Sequence, residues 1–251
     1  MAINLTNTDK QKKIKSSISW LKSLFDDFFK LFIPEKCLNC GLNLHNFENH
    51  ICKPCLVKIA KTNFIENEVN PVSQSFWGRV KLENAFSFYY FTKGSILQNL
   101  IHEIKYKGAK ELAYEMGKEF GFAIKQSNKE FSFDLICPVP LHPQKAKKRG
   151  YNQSDWIAKG MAEVLTIPVN CEILKRTVFT STQTKKSRQQ RWENVKDAFI
   201  ASQLSNAENK HILVVDDVMT TGATLEACTQ KLLEINGTMV SIATLAYAYD
   251  L

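Results

Sequence analysis

The stretch HILVVDDVMTTGAT, residues 211–224, decides the reading of the whole chain. It opens on a continuous apolar run, Ile212-Leu213-Val214-Val215. A short β-branched run without alternation suits a central strand buried on both faces. The run stops at two adjacent carboxylates, Asp216 and Asp217. Val218, Met219 and the small, hydroxylated Thr220-Thr221-Gly222-Ala223-Thr224 follow. Leu225, Cys228, Leu232 and Ile235 then recur at spacings of 3, 4 and 3, and Asn236-Gly237 stops the pattern, as a helix with a C-terminal glycine would. A loop entering a helix N-terminus offers N–H groups and the positive end of the helix dipole, which suits a phosphate. Carboxylates at a strand end repel phosphate but accept hydrogen bonds from sugar hydroxyls. A ribose carrying a 5-phosphate satisfies both halves. A buried strand with an ordinary capped helix is the bland alternative, and a receiver-type acidic metal pocket is another. The unbroken strand–loop–helix run favours the phosphoribosyl reading.

Working back from this stretch, the chain turns basic. Between residues 141 and 196 there are 12 Lys and Arg against 4 Asp and Glu, so this segment holds the whole net charge of +8. Such concentration points to a polyanion or a multiply phosphorylated ligand, with a solvated basic face as the alternative. Residues 131–137 read as a strand rising into a Pro-rich turn, PVPLHP. Lys145, Lys147, Lys148, Arg149 and Gly150 follow, and Tyr151-Asn152-Gln153-Ser154 opens a helix through Leu165. Open α/β sheets bind ligands at the carboxyl edge. The basic turn should therefore face the same crevice as Asp216 and Asp217, with Arg149 offering a bidentate grip on pyrophosphate. Residues 171–174 form a short strand. Residues 176–196 form a long polar segment carrying Lys185, Lys186, Arg188, Arg191 and Lys196, either a lid over a phosphate ester or a disordered loop. The last strand is expected over 238–247.

Further back, AFSFYYF (85–91) reads as a strand. Ile96, Leu97, Leu100, Ile101 and Ile104 mark one side of a helix that ends near Lys105-Tyr106-Lys107-Gly108, and a second helix spans 110–125. Residues 61–80 are mixed, with Pro71 and Gly78, and read as a linker. Cys37-x-x-Cys40 and Cys52-x-x-Cys55 are separated by eleven residues. Two such knuckles converge four thiolates on one closed, structural zinc site. A redox dithiol pair is the rival, disfavoured by two pairs so close together, and His45 and His50 could substitute as ligands. Ile14, Ile18, Leu21, Phe25, Phe28 and Phe32 place an amphipathic helix over 9–33. Packing on the protein body or a partner is its commoner fate, and lying on a membrane surface is the other.

With 251 residues and 44% hydrophobic content the chain can hold a full core plus a small extra unit. Its seven Cys are four clustered and three scattered through apolar segments, which is no secreted disulfide framework. No signal peptide is visible and no apolar run approaches the ~18 residues of a membrane span. A cytoplasmic protein without a transmembrane segment is expected. Nothing in the sequence names an oligomeric state or an acceptor substrate.

DDVMTTGAT resembles the 5-phosphoribosyl-1-pyrophosphate (PRPP) signature of type I phosphoribosyltransferases. The zinc ribbon, KYKG, PVPLHP, RGYNQS, TSTQTKKSRQQRWENVKDAF and VVDDVMTTGATL stand in the order found in the ComF family of competence-associated, phosphoribosyltransferase-like proteins. The resemblance covers roughly residues 31–247. It implies an α/β, type I phosphoribosyltransferase-like fold, with a mainly parallel sheet flanked by helices. The domains would be an N-terminal amphipathic helix (1–33), a zinc ribbon (34–60), a linker (61–80) and a transferase domain (81–251). It implies PRPP and magnesium as ligands, structural zinc on Cys37, Cys40, Cys52 and Cys55, and displacement of pyrophosphate at the anomeric carbon. Asp216 and Asp217 would be the catalytic acids holding the ribose hydroxyls. Val218, Met219, Thr220, Thr221, Gly222, Ala223 and Thr224 would wrap the 5-phosphate, and Lys105 and Arg149 would take pyrophosphate. Gln144 and Lys145 stand where the family pattern carries an early Arg, and Lys gives a point charge in place of a fork. The alternative is a non-catalytic module that senses PRPP or binds single-stranded DNA alongside competence proteins. Tyr151, Trp156, Phe179 and Trp192 would then line a stacking groove, unless they are core.

Overall fold

The computed structural model describes residues 35–45, 48–178, 197–202 and 207–248. The helix expected over 9–33 lies outside them, as do residues 179–196 of the expected lid. The chain divides into two compact units, Met1–Cys55 and Leu56–Leu251.

In the larger unit four parallel strands form one sheet in the order β1-β6-β5-β2: β1 (Ala85–Phe91), β2 (Leu135–Pro138), β5 (His211–Met219) and β6 (Met239–Ala248). A separate antiparallel pair joins β3 (Leu174–Arg176) to β4 (Phe199–Ala201). The apolar run of β5 fixes its central place. Ile212, Leu213, Val214 and Val215 are fully buried, each contributing ~1.5–3 kcal/mol. Its backbone is also paired on both edges, by β6 and β2. The outer edge of β1 is covered locally. Thr62 N–H donates to the Phe88 carbonyl and Tyr90 N–H to the Ala60 carbonyl, so the edge is not left open for pairing.

The helices of the larger unit are α2 (Pro71–Gln74), α3 (Ile96–Tyr106), α4 (Lys110–Lys125), α5 (Pro143–Arg149), α6 (Gln153–Leu165) and α7 (Ala223–Leu233), after a one-turn α1 (Lys53–Val57) at the unit boundary. α4 and α6 approach closely because glycines face backbone. A Cβ on Gly117 would lie 2.2 Å from the Ile157 carbonyl oxygen, and one on Gly160 would lie 2.1 Å from that of Tyr114. This seating sets where the N-terminus of α6 meets the sheet.

Three sequence expectations are corrected. Residues 61–80 are not a linker: Phe64, Ile65, Val72 and Phe76 are buried, and Asn70 caps α2 in a reciprocal capping box with Ser73. Asn70 also donates to the Ala85 carbonyl at 2.9 Å. A four-residue helix between turns is too short to show a period, so its core residues read as scattered. The basic turn after PVPLHP is a short helix, α5. Pro143 stands in its first turn, His142 Nδ1 accepts from Gln144 N–H at 3.2 Å, and Gly150 ends it at φ 84°. The short strand expected over 171–174 is β3 at Leu174–Arg176, because its partner is β4 and not the main sheet.

Candidate functional site

Asp216 and Asp217 stand near the carboxyl end of β5, next to β2. Asp216 Oδ1 accepts from the Ser154 hydroxyl at 2.8 Å and from the Asp217 backbone N–H at 2.9 Å. Both of its hydrogen bonds within the described residues use Oδ1, which leaves Oδ2 for a further donor. Burial, and then the adjacent Asp217 charge, push the Asp216 carboxyl up to about 7. Asp217 is buried. Its Oδ1 accepts from Val218 N–H at 2.6 Å, and Lys105 Nζ lies 2.8 Å from its Oδ2. That contact is a charge pair whose angles fall outside those of a hydrogen bond, so Oδ2 has no hydrogen-bond donor. The structure thus places Lys105, from the last turn of α3, on the Asp217 carboxylate.

The loop from Val218 to Thr224 divides by burial. Met219 and Ala223 are buried and offer a ligand only backbone, whereas Val218, Thr220, Thr221 and Thr224 keep exposure. Gly222 is the N-cap of α7 with φ 77°, and no side chain caps the helix. The first-turn N–H groups are therefore left to meet an anion. A Cβ at Gly222 would come within 3.0 Å of Phe76 Cζ and 3.1 Å of Met219 Cε. Both the turn and the packing below it require glycine. In the first turn of α7 the buried Glu226 pairs with Arg79, so its charge is matched away from the loop.

Cations gather opposite these acids. Arg149, at the end of α5, lies over the Tyr106 ring, 5.7 Å from its centroid, and donates to Gln153 Oε1. Lys145, one turn earlier, is held below the ordinary lysine range by burial and then by the charges of Arg176 and Arg149. Arg176 ends β3 with its guanidinium 5.2 Å from the Phe199 ring centroid. Burial lowers its pKa, with the charge of Asp216 acting in the opposite direction. Lys145, Arg149 and Arg176 therefore form one positive cluster beside Asp216. Arg176 was read in the sequence only as the start of a polar segment; its place in the cluster depends on the β3–β4 pairing, which no local pattern announces.

The small unit carries Cys37, Cys40, Cys52 and Cys55. Their sulfurs lie within 4.8 Å of one another, with Cys40 and Cys52 3.7 Å apart. Four thiolates at ~2.3 Å around a tetrahedral zinc would be ~3.8 Å apart, so the set fits that ion. His45 and His50 are not in the set. The Cys37 sulfur accepts from Cys52 N–H at 3.4 Å. Burial would raise its pKa, but N–H donors of Cys40, Cys52 and Asn39 bring it down to about 6. Burial pushes Cys55 up. Glu48, which the sequence reading passed over, accepts from His45 N–H at 3.0 Å and Lys53 N–H at 2.7 Å and ties the loop to the second knuckle.

A family model described as phosphoribosyl transferase domain matches residues 155–250. The chain is 27% identical over 226 residues to Competence protein F of Haemophilus influenzae, covering 86% of this chain and 99% of that protein. It is 30% identical over 149 residues to DNA utilization protein YhgH of Escherichia coli K12, covering 58% of this chain and 65% of YhgH. It is 24% identical over 198 residues to Competence protein ComFC of Bacillus subtilis, covering 79% and 78%. The parallel sheet, its acidic strand end and the domain match define a phosphoribosyltransferase-like protein of the type I fold. Within that class, the relatives named Competence protein F and ComFC support a ComF-type protein.

Proposed function

We propose that the crevice at the carboxyl end of β5 binds PRPP and transfers its phosphoribosyl group, with pyrophosphate as the leaving group, in a cytoplasmic protein serving DNA uptake in natural competence. The observation that supports this most is one juxtaposition. Asp216, with Oδ2 left for a further donor, and Asp217, paired with Lys105, precede a glycine-capped helix N-terminus, and a cluster of Lys145, Arg149 and Arg176 stands nearby. Asp216 Oδ2 and Asp217 Oδ2 accept the ribose hydroxyls. The backbone from Val218 to Thr224 and the Thr hydroxyls hold the 5-phosphate. Arg149 grips pyrophosphate, and Lys105 joins it when ribose hydroxyls replace it on Asp217. As the C–O bond to pyrophosphate breaks, positive charge grows on the ribose ring near the two acids and negative charge grows on the departing group near the cations. The protein's share is positioning and electrostatics. Magnesium arriving with PRPP would neutralise pyrophosphate charge, and Asp216 and Asp217 are the acids that would help hold it. No described helix is long and apolar enough to cross a membrane. In the test, PRPP with magnesium raises the melting temperature of the wild type and leaves an Asp216→Ala, Asp217→Ala variant unmoved. An equal rise in both overturns the proposal.

Single-stranded DNA binding is a second reading, favoured by one observation. Trp156 is only partly buried, and Lys110 and Lys159 stand 5.0 and 4.8 Å from its ring centroid, a cation-flanked aromatic of the kind that stacks on bases. Tyr151 is half-buried, with its hydroxyl tied to the Ile104 carbonyl. Phe179 and Trp192 lie outside the described residues. Affinity that falls steeply with salt and drops in Trp156→Ala supports this reading, and a flat salt response removes it.

A further inference from the structure

The segment Tyr151 to Ser154 fills no role in the proposed chemistry, yet each of its side chains reaches a different wall of the crevice. Tyr151 donates to the Ile104 carbonyl in the last turn of α3, the residue before Lys105. Asn152 Nδ2 donates to the Val139 carbonyl at 3.0 Å, and Val139 N–H donates to the Val215 carbonyl at 2.9 Å. Gln153 accepts from Arg149. The Ser154 hydroxyl donates to Asp216 Oδ1 at 2.8 Å. Gln153 and Ser154 are buried, Ser154 completely. A helix N-terminus needs only one capping side chain, and Asn152 supplies it by accepting from Ser154 N–H at 3.4 Å. The other contacts are surplus to capping.

We propose that Gln153 and Ser154 are positioning residues for the two halves of the ligand: Ser154 fixes the Asp216 carboxylate for the sugar, and Gln153 fixes the Arg149 guanidinium for the diphosphate. The division follows from the bonds. Ser154 occupies Asp216 Oδ1 and so turns Oδ2 outward. Gln153 spends its acceptor on one Arg149 nitrogen and so sets the plane of the fork. Buried donors and acceptors of this kind cannot be replaced by water when removed, and a lost bond to a charged group costs about tenfold or more in whatever depends on it. The sugar and diphosphate assignments rest on the PRPP reading; the links from Ser154 to Asp216 and from Gln153 to Arg149 do not.

The experiment uses the full chain with zinc, magnesium, and two separate probes, ribose 5-phosphate and inorganic pyrophosphate. Ser154→Ala should weaken ribose 5-phosphate about tenfold and leave pyrophosphate unchanged. Gln153→Leu, close in volume and without an acceptor, should do the reverse. A mere loss of stability would weaken both probes alike, and that result, or no effect in either variant, overturns the proposal. If the wild type binds neither probe, the PRPP reading falls, and the carbon-13 carboxyl titration of Asp216 in the ligand-free protein decides the Ser154 link. Asp216 faces the Asp217 charge and N–H from its own strand, Lys105 from α3, Arg176 from β3 and Cys228 from α7. None of these changes in Ser154→Ala, so the Asp216 midpoint should move up when the hydroxyl is lost. An unmoved midpoint overturns the proposal.

Discussion

The thiol cluster and the carboxylate crevice gather charged groups in opposite ways. The cluster converges four like donors from one short stretch, residues 37–55, on a single point. It could hold a cation, and four thiolates would leave such an ion no open position. The crevice brings together unlike groups from distant parts of the chain: Lys105 from α3, Arg149 from α5, Ser154 from α6, Arg176 from β3 and the acids from β5. Its charges are partly matched among themselves, and it leaves oxygens and helix amides for something else. A closed set of donors holds a fold together, whereas an open set, held by packing elsewhere, is what a ligand site needs.

Metal removal should separate the two most sharply. Stripping zinc with a chelator takes away on the order of 10 kcal/mol from the small unit. Residues 35–55 should become protease-sensitive while the melting of Leu56–Leu251 stays in place. A small unit that resists protease without metal would break the contrast. Next in size is Gly222→Ala. A side chain at φ 77° costs about 1–2 kcal/mol, and the contacts with Phe76 and Met219 add to it. Melting should fall by about 2–8 °C, with PRPP affinity lost beyond that, and an unchanged melt would show that the turn is not constrained.

The last effect concerns pH. The folded Asp216 carboxyl is raised, by burial first, to about 7, against ~3.9 in an unfolded chain. Its contribution is present in full below the unfolded value and lost as pH rises through the folded one. Asp216→Asn carries no such loss. It should match the wild type near pH 4 and exceed it at pH 8, read as a melting gap that opens between the two. A gap that does not open with pH would show that Asp216 is not held in its raised state.

What could be read from the sequence follows the same contrast. The knuckles and the 211–224 run are contiguous, so spacing alone located Cys37, Cys40, Cys52, Cys55, Asp216, Asp217 and Gly222. Lys105 was legible as a cation at a helix end, but its seat on Asp217, 112 positions along the chain, was not. Ser154 meets Asp216 through the packing of α6, which closes on α4 at Gly117 and Gly160, a tertiary fact without local period. Residues 61–80 were misread for a related reason. Their order comes from the Asn70 cap and from Phe76 lying against Gly222, not from a repeat.

The most direct measurement is a calorimetric titration of the zinc-loaded protein with PRPP and magnesium, run beside Asp216→Ala, Asp217→Ala. The account predicts one saturable site per chain in the wild type and none in the variant. Equal binding by both, or no heat from a folded wild type, would contradict it.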